Sequence, residues 1–328
     1  KDRTETVGKG QTGEAPELAE TLEDNDALAP GFAGSERTLA GIMALSTYRV
    51  LADKLAAERT TVAAQVPILM VHGWGGTQLT LVTNFIEAFN KAGLAVMTFD
   101  YPGWGESEGL PRNVISPWKR EKTVEAALAF TKSHTEVDAT NIVLWGSSFG
   151  GGHVVKIAAE HPELRGAIAQ VPMLDGMLAV KAVPLPRMMR FGLDITLDML
   201  NPFNTHYVPI VSPEGEYSSM DRDGAWRVEG WIEDNLKRQH DNRVAARSLA
   251  TMGFYRPGKH LKRIQIPTLV IGATRDTVAP FDKEKVKRLS SEHVEIKTID
   301  ANHFDPYLDH WFEENIAMQL AFVRGLVA

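Results

Sequence analysis

The 328-residue chain contains no cysteine. Disulfides, thiolate metal sites and a cysteine nucleophile are therefore excluded, and the redox compartment stays open. No apolar run approaches the roughly 20 residues of a membrane-spanning helix, so no membrane span is expected. The chain has no H-E-x-x-H helix and no Asp-rich calcium loop, so no metal site is expected. Basic residues are outnumbered, 35 Lys and Arg against 42 Asp and Glu, for a formal charge of −7. That balance argues against nucleic acid as a partner. Internal repeats and low-complexity tracts are also absent. What remains is ordinary for a globular chain: 44% hydrophobic and 23% charged, enough for a sizeable core. The chain starts at Lys1 rather than Met, read as a trimmed or processed N-terminus, with a cytoplasmic location as the expectation. A homodimer is left open.

Residues 1–30 carry Gly, Thr, Pro and many acids, the pattern of a loosely held arm. Between Glu36 and Glu58, Leu39, Ile42, Met43, Val50, Leu51 and Leu55 recur at near-helical spacing, so 1–60 is read as an arm with helices. From Pro67 onward, short apolar runs alternate with amphipathic segments. Ile68–Val71, Leu94–Phe99, Ile142–Trp145, Ala167–Val171, Thr268–Ile271 and Val294–Ile299 read as strands. The segments between them read as helices: Phe85, Ile86 and Phe89 share one side, Gly93 stops the helix, and Ser116-Pro117 starts another. This alternation predicts an α/β protein with a mostly parallel, doubly wound sheet, its ligands held beyond the strands' carboxyl ends. Residues 177–262, rich in proline and large apolar groups, are too long and too apolar for a loop. They are expected to form a mainly helical cap inserted into a core of 61–176 and 263–328, with Met188, Met189, Phe191 and Trp231 lining a substrate pocket.

The chemistry concentrates at Gly146-Ser-Ser148-Phe-Gly150, between an apolar strand and a small-residue helix. Strand, tight turn and helix are the setting of a nucleophile elbow. The serine sits in a strained conformation, and side chains at the two glycines would collide. Ser148 needs a base and a group to orient that base. Of ten histidines, His303 lies just beyond the last apolar strand, at the sheet's active edge. Asp276, after Leu269–Ile271, is the favoured orienting acid, and Asp175, beyond the strand at 167–171, is its rival. Backbone N–H groups of Phe149 and Trp74, the latter in the Gly-rich turn 72–76, are the expected oxyanion donors. Asp100, in a turn running to Ser107, is read as structural. With no G-x-G-x-x-G spacing there and no Lys-Ser/Thr, no phosphate-binding cofactor is expected.

The ordered motifs HGWGG at 72–76, DYPGWGES at 100–107, GSSFGG at 146–151, TRDTVAP at 274–280 and NHFDPY at 302–307 resemble those of the α/β-hydrolase fold. More narrowly, with Phe254–Gly258, the chain is similar to the group near dienelactone-hydrolase-like and X-Pro dipeptidyl-peptidase-like hydrolases, which includes fungal polyketide acyltransferases. The resemblance implies Ser148, Asp276 and His303 as a triad and no cofactor. It implies a serine hydrolase that opens an ester or related acyl bond of a small-molecule substrate. An acyltransferase or a peptidase would use the same residues, and a non-catalytic ligand-binding protein on this fold is a further alternative. Dehalogenases and epoxide hydrolases carry Asp at the elbow, where this chain has Ser148. The large accessory domains of true X-Pro dipeptidyl peptidases are absent, which weighs against a peptidase.

Overall fold

A computed structural model of the chain describes residues 66–78, 83–134, 137–201, 203–221, 224–227 and 241–327. The expected arm and helices of 1–60 lie outside these residues. Six strands form one parallel sheet: β1 (Ile68–Val71), β2 (Val96–Thr98), β3 (Val143–Ser147), β4 (Gly166–Gln170), β7 (Thr268–Ala273) and β8 (Val294–Ile299), in the order β2-β1-β3-β4-β7-β8. The four central strands β1, β3, β4 and β7 are buried along their whole length. Helices on both faces exclude water there, which is why these strands read as continuous apolar runs rather than alternating ones. Each Val, Leu or Ile fully buried in this way contributes about 1.5–3 kcal/mol over leaving it exposed. Edge strand β8 is only partly buried.

The helices that cover the sheet are α1 (Thr83–Lys91), α2 (Pro117–Ser133), α3 (Phe149–Ala158), α6 (Lys283–Leu289) and α7 (Asp309–Val327). Gly93 adopts φ +81° and ends the turn after α1, as its sequence position predicts. Strand β2 is shorter than the apolar run 94–99 that announced it, because only Val96–Thr98 finds pairing partners on β1. Successive connections run outward on both sides of β1, to β2 and to β3. The sheet therefore reverses its winding between β1 and β3, the crevice where such sheets hold ligands.

Between β4 and β7 the chain leaves the sheet. This stretch holds helices α4 (Gly176–Lys181) and α5 (Leu185–Leu200), and 3-10 helices at Ala246–Phe254 and Pro257–Arg263. It also holds a two-stranded antiparallel ribbon of β5 (Tyr207–Pro209) and β6 (Arg243–Ala245), which the helical expectation had not included. Three-residue strands leave almost no period to read, and their partners lie more than 30 residues apart in sequence. Among the described residues, no helix is long and apolar enough to cross a membrane.

Candidate active site

The turn after β3 is strained where the sequence suggests. Ser148 has φ 55° and ψ −119°, a conformation rarely open to a side-chain-bearing residue. A Cβ on Gly146 would lie 2.6 Å from the Gly150 carbonyl oxygen, and one on Gly150 would collide with the Val71 carbonyl. Glycine at both positions is thus a steric requirement. The turn lifts Ser148 to the carboxyl end of β3, at the start of α3, where the helix's unpaired N–H groups favour developing negative charge.

Three loops converge there. His303 Nε2 stands 2.9 Å from Ser148 Oγ, and His303 Nδ1 stands 2.6 Å from Asp276 Oδ2. The other carboxylate oxygen of Asp276 accepts the backbone N–H groups of Val278 (2.8 Å) and Ala279 (2.7 Å), which lock the acid in its loop. Serine, imidazole and carboxylate are all buried. The arrangement lets the imidazole withdraw the serine proton while the carboxylate holds its far nitrogen protonated. Asp175 is engaged elsewhere: it caps α4 through the Met177 N–H and pairs with Arg256 at 2.9 Å.

Ser147, the neighbouring hydroxyl, belongs to a different network. It hydrogen-bonds Tyr307 Oη and accepts from Gln170 Nε2 at 2.9 Å. Gln170 Oε1 accepts in turn from Asn315 and Gln319 of α7, and Gln319 accepts from the Trp145 indole at 2.7 Å. These side chains are buried and mutually satisfied, so the network ties β3 and β4 to α7 and to the loop that carries His303. The sequence offered no signal for it, because these hydrogen bonds join residues 23 to 174 positions apart.

On the opposite side of the serine, the loop after β1 presses against the elbow. A Cβ on Gly73 would lie 3.0 Å from Ser148 Cβ and 3.5 Å from the Phe149 backbone nitrogen. The Trp74 and Phe149 rings meet edge to face at 5.5 Å, and the Trp74 indole donates to Ser219 Oγ. Asp100 serves the fold, as expected. Its carboxylate accepts from the Gln78 and Glu106 backbone N–H groups, and a side chain at Gly105 (φ +49°) would collide with it. Burial pushes its carboxyl above the usual range, against those bonds.

A cavity of about 270 Å³ opens beside Ser148. Trp74, Phe149, Met173, Thr277 and Val278 line it from the sheet side, and most of the remaining wall comes from residues 179–252. Met188 and Phe191 are on that wall. Met189 is not: it is 70% exposed. The helical period explains the difference. Met188, Phe191, Gly192 and Ile195 form one stripe of α5 toward the cavity, and position 189 lies about 100° away from 188. Trp231 lies outside the described residues. Ile195, Met220, Leu249 and Met252 also line the cavity and were not singled out from sequence.

His72 at the start of the loop after β1 and His153 in α3 are both buried. Burial, reinforced by the Arg120 charge, holds both imidazoles well below their ordinary range. The unfolded chain therefore binds more protons than the folded one as pH falls. Stability is full above about pH 6.5 and is lost as pH drops toward the folded values, by up to about 1.4 kcal/mol per pH unit for each histidine. Melting temperature is expected to fall between pH 7.5 and 5.5. His153→Gln, which keeps a partner for the Tyr255 hydroxyl bound at 2.7 Å to His153 Nδ1, should shrink that drop. An unchanged drop would remove His153 from the account.

With this geometry in hand, comparison with known proteins gives the family. The model of the hydrolase family described as serine aminopeptidase, S33, matches residues 63–303. The chain belongs to this family of α/β hydrolases. It is 32% identical to the quorum-quenching protein AidA of Acinetobacter baumannii over 82% of this chain and 89% of that one. It is 28% identical to a thiohydrolase of Eupenicillium brefeldianum, over 79% and 85%. The crystal structure of the α/β hydrolase GrgF from Penicillium sp. sh18 superposes with a TM-score of 0.66 at 21% identity, covering 80% and 91%. This α/β hydrolase is thus an enzyme of the hydrolase kind, on the fold its motifs announced.

Proposed function

We propose that this protein is a serine hydrolase that opens a carboxylic ester or related acyl bond through an acyl-enzyme on Ser148. The observation that carries the reading is His303, placed between Ser148 Oγ at 2.9 Å and Asp276 at 2.6 Å. His303 takes the serine proton as Ser148 attacks the carbonyl and returns it to the leaving group. Water then enters by the same relay. The N–H groups of Trp74 and Phe149 receive the oxyanion, each worth about 3 kcal/mol in the transition state. Residues 177–262 act as a cap over a core of 61–176 and 263–328, and set which acyl group enters.

The cavity argues for a medium-sized apolar acyl group: its lining is mainly Met, Val, Ala, Leu, Ile and aromatic side chains. Among the described residues no carboxylate lines it, so these residues offer a poor seat for the α-ammonium group of an aminopeptidase substrate. The thiohydrolase relative brings thioesters within range. Transfer to an acceptor alcohol or amine in place of water would employ the same residues, and product analysis with added acceptor separates the two.

A series of acyl esters and thioesters of graded length tests the reading, with aminoacyl amides as the contrast. Wild type should turn over apolar acyl esters and leave aminoacyl amides nearly untouched. Phe191→Ala and Met188→Ala should shift the optimum toward longer chains with unchanged fluorophosphonate labelling, while Met189→Ala leaves the profile in place. A uniform loss across the series in the Phe191 and Met188 variants would refute the cap as selector.

A further inference from the structure

We infer that Arg120 is a positioning residue for this reaction: its guanidinium sets the Gly73–Trp74 peptide so that the Trp74 N–H meets the oxyanion formed at Ser148. The inference rests on the acyl-hydrolase reading above. Arg120 lies in the first turn of α2 and is 3% exposed. Its Nη1 donates to the Gly73 carbonyl oxygen at 3.0 Å. The guanidinium carbon sits 4.2 Å from the Tyr101 ring centroid and 5.1 Å from that of Trp104. Trp104 is itself held by its indole bond to the Val114 carbonyl. Among the described residues no carboxylate lies within ion-pair distance of Arg120, and its Nε and Nη2 make no hydrogen bond to protein. Burial lowers its pKa to about 10, so it stays charged at neutral pH. A buried cation is costly unless something compensates it. Here two aromatic faces do so in part, and the charge is directed onto one peptide oxygen.

That peptide is the one that matters. Leu110–Pro111 is the cis bond among the described residues, so Gly73–Trp74 is trans, and its planar amide points C=O and N–H in opposite directions. With the carbonyl held by Arg120, the Trp74 N–H is turned away from Arg120. Gly73 abuts the elbow, and Trp74 lines the cavity with Ser148 and Phe149. A positive charge on the carbonyl oxygen also polarises the amide and strengthens the N–H as a donor. His72, next in the loop and kept neutral, adds no second charge.

The test uses Arg120→Met and Arg120→Lys, with active sites counted by fluorophosphonate titration. It reads kcat and KM per titrated site and the Ki of a trifluoromethyl ketone analogue of the best ester, which forms a tetrahedral oxyanion on the serine. Losing an oxyanion donor outright costs about 10²–10³ in kcat. Loosening one should lower kcat about 10- to 100-fold in Arg120→Met, with KM within about twofold and Ki raised by the same factor as kcat falls. In Arg120→Lys the shorter side chain no longer reaches the carbonyl at 3.0 Å, and a loss of about 3- to 10-fold with the same split is expected. Fewer titrated sites with unchanged kcat and Ki per site would mean a merely structural role and overturn the inference. If Arg120→Met does not fold, Arg120→Lys decides: kcat and Ki equal to wild type overturn it. A wild-type protein that neither titrates nor binds the ketone would instead refute the hydrolase reading itself.

Discussion

Ser148→Ala is expected to lower turnover of an acyl ester by about a millionfold and to abolish fluorophosphonate labelling, with melting behaviour unchanged. The magnitude follows from losing the covalent route altogether, so that only binding and the oxyanion donors remain. Stability should hold, because among the described residues Ser148 Oγ hydrogen-bonds only His303 and the strained turn is held by Gly146 and Gly150. Ser147→Ala is the control. Its hydroxyl is consumed by Tyr307 and Gln170 in the network behind the sheet. That variant should label normally and melt lower, since a satisfied buried network loses a member. Adduct formation surviving in Ser148→Ala, mapped by peptide mass, would refute the assignment of the nucleophile.

Asp276→Asn should lower kcat about 10⁴-fold without unfolding the protein. The geometry says why both halves hold. Asp276 Oδ1 accepts two backbone N–H groups, and an asparagine carbonyl oxygen keeps those bonds. Its amide nitrogen must then occupy the Oδ2 position, facing His303 Nδ1 at 2.6 Å. A donor there makes Nδ1 the acceptor and puts the proton on Nε2. The imidazole then offers Ser148 an N–H instead of a lone pair, and it can no longer act as base. Asp175→Asn should leave kcat nearly intact. It loses the ion pair with the exposed Arg256, while an asparagine oxygen keeps the Met177 N–H that caps α4, so the cost in stability should stay below about 1 kcal/mol. If Asp175→Asn proves the more damaging change in kcat, Asp175 is the orienting acid and the present assignment falls.

The parallel sheet was legible because its central strands are buried on both faces, and such strands appear in the chain as uninterrupted apolar runs. The elbow was legible for a different reason: the turn tolerates only glycine at 146 and 150, so sterics write it directly into the residue types. His303 and Asp276 could be proposed from their places just beyond apolar strands, since a parallel sheet collects all such loops at one edge. The cavity wall was only partly legible. Met188 and Phe191 were expected there together with Met189, yet which side of α5 faces inward depends on how that helix is rotated against the 3-10 helix Ala246–Phe254 it packs on. Apolar residues occur on both sides of it, with Leu193 and Leu197 exposed as well, so hydrophobicity alone could not choose the face.

Local chemistry therefore determined what could be written locally: strand runs, the glycine turn, and loop positions along a parallel sheet. The tertiary structure alone decided what depends on groups far apart in the chain. It joined Ser147 to Tyr307 and α7, engaged Asp175 away from His303, and brought Arg120 under the Gly73 carbonyl, 47 residues distant. No residue type or spacing encodes such contacts, because a buried polar group is satisfied by whichever partner the packing places within reach.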